Sequence, residues 1–401
     1  MILSMAKGEL VIRDPVHGDI ELTGEEAQLL DTWPMQRLRG IHQLGTARLV
    51  YPGATHTRFE HSIGTLHMTG RICRQVRRSA RERPADLAPI DREAERILRL
   101  AALVHDLGHR PFGHNLEDQT GLLERHDAPS RLAEAVGGAE VGDLLAGYGV
   151  LEEGLAALGA GEREGPACWR QVLGDTLCAD ILDYLARDSH YTGLTLQYDR
   201  RVLSLFRVDR VTGDLFVNTE KGGMLREDAL SEVIRVLEAR YYFSERVYYH
   251  HAKITAGALV ARAVEEAFAA GELDAAELGE HTDDSLVAAL AAAGDARVAR
   301  FAAAFRRRLL PKRAAVYPRY LNREIQAELV ARFFAPGGAA ARRAFEKEVE
   351  HRVARRTGRQ VDVLLYCPSR TMQLKESGIR VRMPGLPGLP TLSEGAGRVP
   401  R

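Results

Sequence analysis

Apolar residues recur every three to four positions in the stretches 24–39, 57–76, 91–108, 127–147, 168–188 and 225–269, with few interior breakers. That period predicts a bundle of α-helices. The Ala-rich stretch 285–306 continues it, and GELDAAELGEHTDDS, just before, reads as an exposed connection. Two regions have a different period. Residues 9–22, ELVIRDPVHGDIEL, alternate in short runs around a Pro and a Gly and predict a strand pair. Beyond Pro311, helices are expected at 322–333 and 339–355, then a strand in QVDVLLYCP (360–368) with IRVRM (379–383) as its partner. The tail MPGLPGLPTLSEGAGRVPR is too rich in Pro and Gly to pack and is expected to be disordered or an extended arm. The fold class is mainly α. The expected organisation is an N-terminal β hairpin (1–24), a helical domain (25–268), an Ala-rich helical extension (269–310), a small α+β lobe (311–384) and a flexible tail (385–401).

Composition narrows the class of function. With 401 residues, 45% of them hydrophobic, and 55 basic residues against 55 acidic, the chain can bury a large core and has no overall basic field. Nucleic-acid binding would need a local patch; a small anionic substrate is the simpler expectation. No long uncharged apolar run and no leader-like start is visible, so the expected location is the cytoplasm, without a membrane. Cys73, Cys168, Cys178 and Cys367 lack close pairing and read as unpaired thiols.

Three stretches carry residues able to do chemistry. In THTRFEHSIG, Thr57 and Glu60 have capping-box spacing, and Arg58 and His61, three apart, share one face near a helix N-terminus. A cation beside a potential metal ligand suits a phosphate, although a lone histidine there more often packs in the core. In AALVHDLGHRPFGH, the stripe Ile97, Leu100, Ala101, Val104 leads to His105 and Asp106 in the last turn, before Gly108 and Pro111 end the helix. Adjacent side chains diverge by about 100°, so both reach one ion only over the helix edge. His126 and Asp127 repeat the dipeptide, so the pair alone is weak evidence. In CADILDYLARDSH, with Asp180 set at 0°, Tyr184 falls near 40°, Arg187 near −20° and Asp188 near 80°, roughly one polar stripe. That stripe could bind a metal, a phosphate chain and a sugar hydroxyl, or be a solvated face of ion pairs. His61, His105, Asp106 and Asp180 together would suit Mn, Fe, Mg, Ni or Zn with open coordination positions. His109, His114 and Glu117 could then hold water or protonate a leaving oxygen.

RFEH, VHDLGHRPFGH and ADILDYLARD, in this order and spacing, resemble the His-Asp (HD) superfamily of metal-dependent phosphohydrolases. RDPVHGDIEL, DTWPMQRLRGIHQLGTARLVYPGATHTRFEHSIG and YYHHAK place the likeness nearest its deoxynucleoside triphosphate triphosphohydrolase branch, over about residues 10–265. The resemblance implies an HD-type helical bundle at 25–268, with His61, His105, Asp106 and Asp180 as metal ligands and His109, His114, Glu117 and His126 as catalytic neighbours. It implies Arg58, Arg240 and Lys253 on the phosphates, and Gln43, with Leu44 beside it, and Asp188 at the sugar 3′-hydroxyl. Tyr184 and Tyr248 would lie against sugar and base, Tyr184 favouring deoxyribose. It further implies attack at the α-phosphorus, a homodimer or homotetramer, and an activating guanine nucleotide read by Asp31, Gln36 and Arg39.

Two departures bear on this. Ile181 stands where the mammalian branch member has a phosphate-contacting lysine, which opens mono- and diphosphates as substrates; Leu10 replaces a lysine at the activator's phosphates, where Lys312 and Arg313 could substitute. Three readings stay open: a deoxynucleoside triphosphate triphosphohydrolase, a phosphohydrolase of nucleotide monophosphates or nucleic-acid ends, and a nucleotide sensor without turnover. An open four-ligand set argues against the third.

Overall fold

The chain enters on an antiparallel ribbon, β1 (Leu10–Asp14) and β2 (Gly18–Leu22), with Ile12 opposite Ile20. Asp14 Oδ1 closes its turn by accepting from the backbone N–H groups of Val16 and His17. The computed structural model describes residues 10–117, 123–195, 198–318, 321–335, 337–367, 378–386 and 388–396.

Helices follow: α1 (Gly24–Leu30), α2 (Trp33–Arg37), α3 (Arg58–Glu82), α4 (Arg92–Val104), α5 (His114–Glu117), α6 (Pro129–Val136), α7 (Ala139–Gly147), α8 (Leu151–Leu158), α9 (Ala167–Gly174) and α10 (Ala179–Thr192). The long helix α3 is the central spine, packing against α4 on one side and α10 on another. Its start is fixed by the Thr57–Glu60 capping box, which satisfies orphan N–H groups of the first turn. Strands β3 (Phe206–Val208) and β4 (Leu215–Asn218) and the short pair β5 (Glu220–Lys221) and β6 (Met224–Leu225) precede α11 (Glu227–Phe243) and α12 (His251–Ala270). Then come α13 (Ala275–Glu280), α14 (Asp283–Ala291), α15 (Ala296–Arg306), α16 (Arg323–Phe333), α17 (Ala339–Thr357), β7 (Val381–Arg382) and α18 (Leu392–Ala396). Among the described residues no helix is long and apolar enough to cross a membrane.

There are two principal hydrophobic clusters. The larger runs from β2 through α11 and includes Leu66, Leu103, Leu107 and Leu182; the second joins α12, α14 and α15 around Leu259, Phe301 and Phe305. Residues 105–117 bridge them, with Leu107 in the first and Phe112 and Leu116 in the second. The segment that carries most of the candidate histidines is thus anchored at both ends by apolar burial.

Several sequence expectations require correction. The helical stretch 225–269 is interrupted by a π turn at Ser244–Tyr248, and 127–147 and 168–188 each divide into two helices, the former at Gly137 and Gly138. The connection at 271–285 is partly helical: Asp274 and Glu277 form a capping box for α13, and Leu278 and Asp283 are buried. Residues 360–367 form no strand. The Val363 and Leu365 N–H groups donate instead to Glu350 and Glu346 of α17, so carboxylates take the place of a ladder partner. Residue 368 lies outside the described residues. IRVRM finds its partner elsewhere, as β7 pairs parallel with β4, which is antiparallel to β3. The tail packs as far as it is described. The Pro390 carbonyl accepts from Val381 N, Leu392 N donates to Ile379 O, and Leu392 is buried. Proline lacks only the donor, so its carbonyl can still serve an edge.

Candidate metal centre

The centre forms where the N-terminus of α3, the C-terminus of α4 and the first turn of α10 converge. His105 is the C-cap of α4 and its Nδ1 lies 2.7 Å from the Ala102 carbonyl. A carbonyl only accepts, so Nδ1 carries the proton and the bare Nε2, buried and without a hydrogen-bond partner among the described residues, points inward. His61 is built alike: Nδ1 is 2.7 Å from Asp183 Oδ2, which leaves Nε2 3.0 Å from Asp180 Oδ1 and 3.9 Å from Asp106 Oδ2. Asp106 Oδ1 is 3.5 Å from His105 Nε2, and its Oδ2 accepts from Arg58 Nη1 at 2.7 Å.

These spacings suit one divalent cation. Ligands about 2.1 Å from a shared ion lie roughly 3.0 Å apart at right angles and about 4.2 Å apart when opposite, and these three separations fall in that range. His61, His105 and Asp106 each offer an atom within 4.8 Å of the others, and Asp180 joins them through its contact with His61. Two imidazoles and two carboxylates form a borderline-hard donor set. Electrostatics point the same way. Burial disfavours charge on His61, yet its bonds to Asp180 and Asp183 and the charge of Asp106 outweigh it, raising its pKa to about 10. Burial also opposes the Asp106 charge, but Arg58, His105 and His109 hold that carboxyl well below the usual range. A ring among three carboxylates calls for a cation, either a proton or a metal.

A second cluster lies beside it. Buried Glu117 is 2.9 Å from His126 Nδ1 through Oε2, and 3.3 Å from both His114 Nδ1 and His109 Nδ1. His109 Nε2 is 3.3 Å from Asp106 Oδ1, connecting the two clusters. The His109 and His126 rings stack with centroids 3.5 Å apart and a 20° tilt. His109, His114 and His126 offer ring nitrogens within 4.8 Å of one another, so by spacing the cluster could take an ion as well as pass protons. Burial opposes the Glu117 charge, but the three histidines hold its pKa well below normal; burial and His109 lower that of His126. The cluster rests on unusual backbone: Phe112 has φ 60° and Gly113 φ 47°. A Cβ at Gly113 would sit 2.8 Å from Arg58 Nη2. The Phe112 N–H donates to Asp283 Oδ1 at 2.6 Å, and Arg37 donates to the His109 carbonyl at 2.7 Å.

Both clusters border a cavity of about 930 Å³, lined among others by Gln43, Leu44, Arg58, Arg240 and Lys253, with Ile181 beside Asp180. Arg240 Nη1 and Gln43 Oε1 are buried without hydrogen-bond partners among the described residues, so each is available to a polar ligand. On the far wall the Tyr248 hydroxyl donates to Asp188 Oδ2 at 2.7 Å, and His56 Nε2 is 2.8 Å from Asp188 Oδ1. Tyr184 meets Tyr248 edge to face at 6.4 Å, and burial raises both phenol pKa values, keeping them neutral.

Some expected residues lie elsewhere. Arg187 is turned away from the cavity, fully buried between Asp183 and Asp14, because its i,i+4 pairing with Asp183 faces the β1–β2 ribbon. Asp31, Gln36 and Arg39 sit outside the cavity at α1 and α2. Gln36 donates to Leu30 O, Arg39 donates to Gln36 and lies 3.6 Å over the Phe59 ring, and Asp31 is exposed. Lys312 and Arg313 line a separate cavity with Arg308 and His251. Sequence reasoning missed Asp183, His17, His56 and Asp283. Asp183 lies one turn after Asp180, a usable signal; Asp283 contacts the site from a segment with no local sign of it.

Comparison with known proteins adds the following. An HD domain model matches residues 58–147 and an HD associated region model matches residues 215–385. The chain is 31% identical to an uncharacterized protein of Methanocaldococcus jannaschii over 281 residues, 70% of this chain and 54% of the relative. It is 29% identical to the deoxynucleoside triphosphate triphosphohydrolase SAMHD1 of Gallus gallus over 271 residues, 60% of this chain and 42% of the relative. The chain therefore spans about half the length of the curated relatives it matches. A crystal structure of a hypothetical protein from Aquifex aeolicus shares the fold, with TM-score 0.64 at 24% identity over 81% of this chain and 82% of that one.

Proposed function

We infer that this chain, a member of the HD-domain family, is a metal-dependent phosphohydrolase whose substrate is a deoxynucleoside triphosphate. The observation that carries this is one cavity whose wall holds His105, Asp106 and Asp180, with His61 directly behind them, together with Arg240, whose Nη1 is unpartnered among the described residues, and the Tyr248–Asp188 pair. When bound, a divalent ion supplies positive charge to a phosphoryl oxygen and acidifies nearby water.

The chain's own residues do the rest. Arg58, held by Asp106, Arg240 and Lys253 grip the phosphate chain; Gln43 and Asp188 take the 3′-hydroxyl; Tyr184 packs against the deoxyribose and Tyr248 against the nucleoside. Water attacks the α-phosphorus, the new P–O bond forms as the P–O5′ bond breaks, and the departing O5′ takes a proton, releasing deoxynucleoside and triphosphate. Glu117, charged and buried, orders His109, His114 and His126 for that transfer. Homo-oligomers and an activating guanine nucleotide at Asp31, Gln36 and Arg39 belong to the same reading, supported by the relatives' likeness alone. Apolar Ile181 on the cavity wall favours a second reading, hydrolysis of nucleotide monophosphates or nucleic-acid ends, because it gives a long phosphate chain no grip there.

Purified protein supplied in turn with Mn²⁺, Fe²⁺, Mg²⁺, Ni²⁺ and Zn²⁺ is offered dNTPs, NTPs, dNMPs and a short single strand, and products are resolved by chromatography. Triphosphate release from dNTPs supports the first reading, and stepwise loss of phosphate or nucleotides the second. Binding without turnover under every metal, with and without GTP, overturns both and leaves a sensor.

A further inference from the structure

The turn DPVHG of the β1–β2 ribbon is not used by the reading above, yet it reaches the metal centre. His17 Nε2 lies 2.6 Å from Asp183 Oδ1, across 166 residues of sequence, and both side chains are fully buried. The other oxygen of the same carboxylate is the partner of His61 Nδ1 at 2.7 Å. Arg187 donates to both oxygens, at 2.9 and 3.0 Å, and reaches back to Asp14 at 2.8 Å; Asp14 in turn holds the His17 backbone N–H. The α3 spine leaves room for this at Gly64, where a Cβ would fall 1.9 Å from Asp183 Oδ1.

We propose that His17 is a positioning residue of the metal centre: it locks the Asp183 carboxylate, which fixes the ring and tautomer of His61 and so sets metal affinity. An acceptor-only carboxylate at Nδ1 obliges that nitrogen to carry the proton, and the lone pair is then on Nε2, facing Asp106 and Asp180. Each Asp183 oxygen takes one imidazole and one guanidinium nitrogen. Without His17 one oxygen loses a charge-assisted partner and the carboxylate can turn away from His61. The Arg187 fork alone would anchor the ribbon to the bundle, so His17 adds orientation beyond attachment. The proposal rests on His61 being a metal ligand.

The test measures Mn²⁺ affinity by competition with a chromophoric chelator, together with melting of the metal-free protein in EDTA, for wild type, His17→Ala, His17→Gln, His61→Ala and the exposed ribbon control Arg13→Ala. Outer-shell partners of metal-bound histidines are worth about 10- to 100-fold in affinity. His17→Ala is expected to lose that much, Arg13→Ala nothing, and His17→Gln, whose amide can replace the Nε2 donor, to stay within a few-fold of wild type. Wild-type affinity in a folded His17→Ala, or equal weakness in the Ala and Gln variants, overturns the proposal. If His17→Ala does not fold, His17→Asn, whose amide stops short of Asp183, takes its place, and equal affinity in the Asn and Gln variants is the contradicting result. Undiminished affinity in His61→Ala would instead remove the ligand assignment itself, and none of these outcomes depends on nucleotide turnover.

Discussion

Replacing Arg187 by Met keeps the unbranched apolar stem of the side chain and removes its charged head. In the native chain its guanidinium, 0% exposed, bonds Asp183 twice and Asp14 once. Both carboxylates are buried, at 0% and 4% exposure, so neither recovers solvation when the cation goes. Breaking a buried ion pair from one side costs about 3–5 kcal/mol. Asp14 keeps two backbone donors and Asp183 keeps His17 and His61, which puts the loss at the lower end, near 3 kcal/mol. Against a typical total of about 5–15 kcal/mol this is large but compatible with folding. The assay is urea unfolding in EDTA, so that metal binding plays no part, at pH 7 and pH 5. Burial would raise the Asp183 pKa, but Arg187, then His17 and His61, hold it well below normal. Its ionised form therefore stabilises the native fold at every pH above the unfolded value of about 3.9, and that contribution fades only as pH falls through the lower folded value. In the variant the Asp183 pKa rises, protonation relieves the unpaired charge, and the deficit is expected to shrink from pH 7 to pH 5. A deficit under about 1 kcal/mol at pH 7, as for an exposed pair, or one independent of pH, would refute this reasoning.

Gly64→Ala places a methyl against Asp183 and Arg187 and is expected to lower stability by about 1–3 kcal/mol, read from the shift of the melting midpoint. Asp283→Ala orphans the Phe112 N–H that holds the left-handed turn before His114 and is expected to lower stability by about 1–3 kcal/mol, read from the urea midpoint, and to lower kcat with metal content unchanged in elemental analysis. The pKa of His67 is lowered to about 4 by burial, reinforced by His17 and neighbouring arginines, and that of His126 is also lowered. Both contributions are present above the unfolded value near 6.5 and fade as pH falls below it, while His61, raised to about 10, acts in the opposite sense; the urea midpoint of wild type relative to His67→Gln in EDTA should therefore fall from pH 7.5 to pH 5.5.

What the sequence disclosed follows from range. The α3 start was legible because a capping box is local; the α4 end was legible only to within a turn, since the helix stops at Val104 with His105 as its C-cap and Asp106 in the turn beyond, ahead of the expected stop at Gly108 and Pro111. His61, His105, Asp106 and Asp180 were named from short motifs; the fold puts atoms of the first three within 4.8 Å of one another and Asp180 against His61. Their partners were hidden: His17 meets Asp183 across 166 residues and Asp283 meets Phe112 across 171, distances over which periodicity carries no information. Arg187 was misdirected because helix angle alone left −20° undecided between the cavity and the ribbon. The strand expected at 360–367 has the composition of one, but Glu346 and Glu350 take its N–H groups.

The central claim is that His61, His105, Asp106 and Asp180 hold a metal ion on which turnover depends. Its most direct test is elemental analysis of wild type and His105→Ala after loading with Mn²⁺ and gel filtration, with dNTP hydrolysis measured on the same samples. The account predicts that the wild type retains the ion and that the variant, still folded by circular dichroism, loses ion and turnover together. A variant that keeps the metal and hydrolyses dNTPs at the wild-type rate would contradict it.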